Sequence, residues 1–206
     1  MSPQQDPTRP RHPAGAAADD TTSGPAADDT ASGGDADLVW EPPAPDATCD
    51  PLTRLAGPAL FARRLAEALT PRGPGTAPPY VAVLAVDVDD FAAVNDALGR
   101  DAGDEALMGL SDRLLSCLRG SDLAARLGGD GFAILLPGTT AGEATLVAQR
   151  LLTAVAPPVL AGGRLLPLRV SVGVAGSAAL GPAALVGAAE AALSRAKAGG
   201  KGRYAL

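Results

Sequence analysis

Hydrophobic positions fall into two regimes along this chain, and the change comes at Asp50. Ahead of it, large apolar side chains are limited to Met1 and the trio Leu38, Val39 and Trp40, set among Pro, Ala, Asp, Gly, Ser and Thr. Beyond it the pattern becomes periodic. Leu60, Phe61, Leu65, Ala68 and Leu69 recur at helical spacing and stop before Pro71, which predicts a helix. A Pro/Gly-rich loop over 72–79 follows. Tyr80 to Val86 is an unbroken apolar run ending at Asp87, the pattern of a strand buried on both faces. Segments 91–98 and 103–118 read as helices, the second amphipathic through Leu107, Leu110, Leu114, Leu115 and Leu118. Two short apolar runs, 123–127 and 132–136, flank Gly128-Gly129-Asp130-Gly131, a hairpin signal. A helix over 143–154, a strand over 168–175 and a helix over 183–198 complete the series. The alternation predicts one α/β domain over 49–206, an α+β sandwich with helices packed on a central mixed or antiparallel sheet.

Composition changes the picture only ahead of the domain. Of 23 acidic and 17 basic side chains, nine acids and two bases fall in residues 1–48. The acidity of the chain therefore belongs to this Pro/Ala-rich segment, and the domain is nearly neutral. A segment with so little to bury does not offset the backbone entropy of ordering, roughly 1–2 kcal/mol per residue, and 1–48 is expected to be a disordered tail. Leu38-Val39-Trp40 is expected to dock on the adjoining domain. No basic stripe with interleaved aromatics suggests nucleic acid as a partner. The first residues do not read as a secretory signal, and no apolar run approaches the roughly 20 residues of a membrane span. The expectation is a cytoplasmic protein. Cys49 and Cys117 are too few for a disulfide framework or a metal site, and the single histidine, His12, lies in the tail. Chemistry in the domain is left to carboxylates and a hard metal.

Three features could carry such chemistry. Asp87-Val88-Asp89-Asp90 crowds three carboxylates where the buried strand ends, which asks for a cation or for solvent. An Asp capping the next helix accounts for the cluster equally well. Asp130, between glycines that admit positive φ and a close phosphate, could be a metal ligand or an ordinary hairpin residue. Lys197 and Lys201 are the only lysines of the chain and fall within five residues of sequence at the end of the last predicted helix. Compact ammonium groups suit a polyphosphate, although they also suit a helix C-terminus.

In order and spacing, six short motifs resemble the GGDEF domain of diguanylate cyclases. Asp50-Pro-Leu-Thr-Arg-Leu55 resembles D-x-L-T-G-L, and Asp87-Val-Asp-Asp-Phe-Ala-Ala-Val-Asn-Asp96 resembles D-x-D-x-F-K-x-x-N-D. Gly99 to Asp104 is similar to G-H-x-x-G-D, and Arg126 to Phe132 to R-x-G-G-D-E-F. Ser171-Val-Gly-Val-Ala175 and Ala196-Lys-Ala-Gly-Gly-Lys201 supply the remaining landmarks. The resemblance implies a nucleotidyl-cyclase-like fold. It implies two GTP-loaded domains face to face, each 3′-hydroxyl attacking the opposite α-phosphate to give cyclic di-GMP. Asp87, the carbonyl of Val88 and Asp130 would hold Mg²⁺ or Mn²⁺, with Asp130 also in the catalytic signature. Asn95 and Asp104 would read the guanine, and Lys197 and Lys201 would hold the triphosphate. Arg119-Gly-Ser-Asp122 matches the family's R-x-x-D inhibitory site for cyclic di-GMP; a plain Arg–Asp surface pair is the bland alternative.

Departures from the pattern bear on activity. Gly131 stands where the signature has Glu, and Ala92 where the family has a phosphate-binding Lys. Arg100 for His and Arg54 for Gly are milder changes. A carboxylate acting in the transition state contributes several kcal/mol, so its loss costs about a hundredfold or more. Three readings result: a guanine-nucleotide-binding module with lost or weak cyclase activity, an active cyclase, and a nucleotide-independent interaction domain. The expected partners are GTP or cyclic di-GMP, together with a weakly associated second copy or a signalling protein.

Overall fold

Every residue of the first strand, Val81–Val88, is buried, as its unbroken apolar run requires. The structure is a computed structural model and describes residues 48–73 and 76–206. The tail expected over 1–48, with Leu38, Val39, Trp40 and His12, lies outside the described residues except for Thr48. The elements are α1 (Pro58–Leu69), β1 (Val81–Val88), α2 (Phe91–Leu98), α3 (Arg100–Ser116), β2 (Leu123–Gly128), β3 (Gly131–Pro137), α4 (Ala141–Val155), β4 (Val159–Ala161), β5 (Arg164–Leu166), β6 (Val170–Gly176), α5 (Pro182–Ala198) and β7 (Tyr204–Ala205).

Five strands form one sheet in the order β2-β3-β1-β6-β7. Its first three pairings are antiparallel and the last, β6 with β7, is parallel. The sheet is thus mixed. Side chains alternate across a strand, so β1 feeds two cores. Ala82, Leu84, Val86 and Val88 join Leu107, Leu110 and Leu114 of α3 and Leu151 and Val155 of α4. Val81, Val83 and Ala85 join Phe61 and Leu65 of α1 and Leu185, Ala189 and Leu193 of α5. Helices therefore cover both faces, and β1 reads as continuously hydrophobic for that reason.

Local signals set several boundaries. Pro58 opens α1 at a position where no N–H is needed. Thr140 and Glu143 form a reciprocal capping box at the start of α4. The structure corrects the sequence reading elsewhere. Tyr80 stands outside β1 and is 68% exposed. The third helix spans 100–116 rather than 103–118, and Leu115 is 48% exposed because the buried stripe of Leu107, Leu110 and Leu114 leaves it on the next face. The sequence reading passed over β4, β5 and β7. β4 and β5 are three residues each and pair with each other around Gly162 and Gly163, both at positive φ, too short for a period to show.

Candidate functional site

Alternation along β1 decides where its carboxylates go. The odd positions face α1 and α5, so Asp87 emerges at the strand end on the α5 side. Lys197 Nζ lies 3.0 Å from Asp87 Oδ1. α5 reaches that depth because position 173 has no side chain. A Cβ on Gly173 would fall 2.0 Å from the Ala189 carbonyl oxygen and 2.2 Å from the Leu193 nitrogen. Lys197 follows Leu193 by four residues, on the same helix face. The Ser171-Val-Gly-Val-Ala175 landmark is therefore a packing device that lowers α5 onto the sheet.

Burial dominates the Asp87 carboxyl and pushes its pKa up; Lys197 pulls it down, and Asp130 and Asp89 push it up further, for a net rise. Asp130 is thus close enough to repel Asp87. It sits at the β2–β3 tip after Gly129, whose φ is 50°. Arg126 holds this tip. Its Nε and Nη2 donate to the Gly129 carbonyl at 2.9 and 2.6 Å, and its Nη1 donates to the Asp50 carboxylate at 3.3 Å. Asp50 also accepts the Thr53 N–H and hydroxyl, each at 2.7 Å. Burial raises the Asp50 pKa, but the bonds from Thr53 and the Arg126 charge outweigh it and the net shift is downward. Two motifs far apart in sequence, at Asp50 and Arg126, form one staple under the hairpin.

Gly131 lies directly across from Asp87 in the β1–β3 register. Directly opposed residues share a face, with Cβ atoms about 5 Å apart. A glutamate at 131 would therefore point to the face that Asp87 and Lys197 share. Position 131 is the first residue of β3 and is buried.

The acidic cluster divides into separate roles. Asp89 is buried and structural: Oδ1 accepts the Ser171 hydroxyl at 2.7 Å, and Oδ2 accepts the Gly202 N–H at 2.8 Å. Asp90 occupies the N-cap position of α2, at φ 59°, but its side chain caps nothing. It accepts instead from Lys201 Nζ at 2.7 Å. The capping explanation of the cluster thus fails. Sequence reasoning missed both roles, because the partners come from β6 and from the loop after α5, 82 to 113 residues later.

Asn95 and Asp104 are carried by α2 and α3, which join at Gly99 with φ 85°. Asn95 Oδ1 packs so closely on Gly103 that a Cβ there would lie 2.0 Å away. The glycine before Asp104 thus lets the Asn95 amide of α2 pack against the start of α3. Arg119 and Asp122 stand elsewhere, in the turn entering β2. Asp122 Oδ2 accepts the backbone N–H of Arg119 at 2.9 Å, and Oδ1 accepts the Ser121 hydroxyl at 3.2 Å. The surface ion pair is not what forms. Among the described residues the Arg119 guanidinium is exposed and donates no hydrogen bond. This turn and Asp130 stand at opposite ends of β2, about 20 Å apart at strand rise.

Among the described residues no three His, Cys, Asp or Glu side chains gather as a metal site. Asp87, the Val88 carbonyl and Asp130 nevertheless offer the all-oxygen donors that suit a hard cation bound jointly with phosphate. The mutual repulsion of the two carboxylates fits them to such an ion, and the Lys197 ammonium beside Asp87 supplies positive charge at that place.

Known proteins share the sequence pattern and the fold. The sequence pattern of the GGDEF diguanylate cyclase domain matches residues 47–203. The chain belongs to the GGDEF family. It is 38% identical over 128 residues to the diguanylate cyclase TpbB of Pseudomonas aeruginosa, which covers 61% of this chain and 29% of TpbB. The matches span less than a third of the length of such curated relatives. The solved GGDEF domain of P. aeruginosa TpbB (YfiN) superposes with a TM-score of 0.71 and 36% identity, covering 77% of this chain and 93% of that one. The GGDEF domain of DgcB from Caulobacter crescentus, solved with cyclic di-GMP, gives a TM-score of 0.71 at 25% identity over 81% of this chain and 96% of that one. The GGDEF fold accounts for the sheet order and for the meeting of α5, β1 and the β2–β3 tip. Membership leaves open what Gly131 does to the chemistry.

Proposed function

We propose that this GGDEF domain binds guanine nucleotides and turns GTP into cyclic di-GMP weakly or not at all. The observation that carries the reading is the β1–β3 register. Gly131 opposes Asp87, so the missing signature carboxylate is missing from the face where Asp87 and Lys197 meet. Binding groups survive around that gap. Asp87, the Val88 carbonyl and Asp130 would hold Mg²⁺ or Mn²⁺, which when bound would neutralise the triphosphate and polarise the α-phosphate. Asn95 and Asp104 would take the guanine edge, the Asp104 carboxylate accepting from N1–H and the exocyclic amine, a pairing adenine does not supply. Lys197 and Lys201 would hold the phosphates. Arg119 and Asp122 would form a second, inhibitory site for cyclic di-GMP, the fork of Arg119 suiting guanine O6/N7 or phosphate.

A second reading, an active diguanylate cyclase, is favoured by the closeness of Asp130 to Asp87, which keeps two carboxylates at the metal position. One experiment separates the two. The protein is incubated with GTP and Mg²⁺ or Mn²⁺ beside Gly131→Glu, and cyclic di-GMP is measured by chromatography. The expected result is little product from the natural chain and about a hundredfold more or better from the variant. Equal, efficient output from both would establish the cyclase reading. Cyclic di-GMP binding with and without Arg119→Ala tests the second site.

A further inference from the structure

The end of α5 and the loop after it are held by three carboxylates from one turn of chain. Asp87 takes Lys197, Asp89 takes the N–H of Gly202, and Asp90 takes Lys201. The first two contacts are partly or wholly buried and support the fold. The third differs. The Asp90 side chain is 63% exposed and that of Lys201 39% exposed. Both residues also sit in the left-handed region, Asp90 at φ 59° and Lys201 at φ 61°. Such conformations cost free energy in residues other than glycine, and an exposed ion pair repays little of it. A pair that is strained and solvent-facing contributes poorly as fold support. It does place a negative charge on one of the two lysines assigned to the phosphate chain.

We propose that Asp90 is a built-in competitor for the nucleotide's phosphate chain, holding Lys201 until an anion of higher charge displaces it. The inference rests on the reading of Lys201 as a phosphate-holding group. A nucleoside triphosphate carries several negative charges and an aspartate one, so a triphosphate is the class of ligand that wins this exchange. Released Asp90 still repels the bound phosphates. Asp90 therefore lowers the affinity of the site in both states and raises the nucleotide concentration at which it fills. Lys197 is subject to the same logic from Asp87, but a divalent cation at Asp87 would relieve that pair, whereas the exposed Asp90–Lys201 pair has no such relief.

The test is titration calorimetry of a non-hydrolysable GTP analogue with Mg²⁺ against the full chain and two variants. Asp90→Asn keeps size and tolerance of the left-handed region while removing the charge; Asp90→Gly removes the side chain where φ 59° suits glycine. Thermal melts confirm that both are folded. Binding is expected to tighten about threefold to tenfold in each, and the gain to be clearly smaller in a Lys201→Ala background, where only the direct repulsion of the phosphates is relieved. A purely structural role for Asp90 would weaken binding or leave it unchanged, and either result overturns the inference while the site reading stands. Binding by the variants but not by the natural chain supports it in its strongest form. Absence of binding by all of them overturns both the inference and the site on which it rests.

Discussion

At position 54 the chain holds an arginine with φ 62°, where the family motif has glycine. A left-handed L-residue costs about 1–2 kcal/mol, part of which glycine returns as unfolded-state entropy. Arg54→Gly is therefore expected to stabilise the domain by about 0.5–1 kcal/mol, read as a higher urea midpoint. Nearby, Asp50 has its pKa lowered in the fold by Thr53 and Arg126 against the opposing effect of burial. A carboxylate with a depressed folded pKa stabilises fully above its unfolded value, about 4, and loses that contribution as pH falls through the folded value. The stability gap between the natural chain and Asp50→Asn is expected to stay constant from about pH 7 to about pH 5 and to close below about pH 4 in urea melts. Asp87 has the opposite sign: its raised pKa means the ionised form opposes folding, and stability falls as pH rises between the unfolded and folded values. Residue types at such positions were legible in the motifs. Their conformations were not, since φ at Arg54 and the separate fates of Asp89 and Asp90 depend on what packs beside them.

Elements reproduce the sequence reading where burial is one-sided or complete. β1, β3 and the stripe of α3 carry their own periodicity, and the capping box of α4 announces its start at Thr140. Short pairings carry no period, which is why β4, β5 and β7 did not show. Contact between elements is set by the absence of atoms at Gly173. Gly173→Ala would drive a methyl into backbone atoms of α5 that have no rotamer to change, so α5 must lift from the sheet. A loss of about 2 kcal/mol or more in stability is expected, with nucleotide binding weakened as Lys197 moves from Asp87; chemical denaturation and calorimetry read the two effects. The same alanine at Gly142, where nothing lies within 4 Å, serves as the control and is expected to be near neutral.

For the whole molecule, the β2 strand separates two assigned sites, with Asp130 at one end and Arg119 and Asp122 at the other. Ligand at the Arg119 turn therefore needs no contact with Lys197 or Lys201 to be present at the same time. Under the cyclase reading, condensing two GTP molecules would take two such domains, each supplying half of a reaction centre. Any product formed by Gly131→Glu is expected to appear with a rate per protein that rises with protein concentration, measurable as a second-order dependence; a rate per protein independent of concentration would mean stable dimers or a different chemistry. The amino-acid sequence by itself determined the α/β class, the two-sided burial of β1, the order of the motifs and the residue types at the candidate site, because periodicity and motif spacing are local properties of the chain. Only the tertiary structure decided that the sheet is mixed, that Gly131 faces Asp87, that Asp50 and Arg126 form one staple, and that Asp90 rather than solvent meets Lys201. Those are contacts between segments remote in the chain, set by strand register and by how closely α5 packs, and no local pattern encodes them.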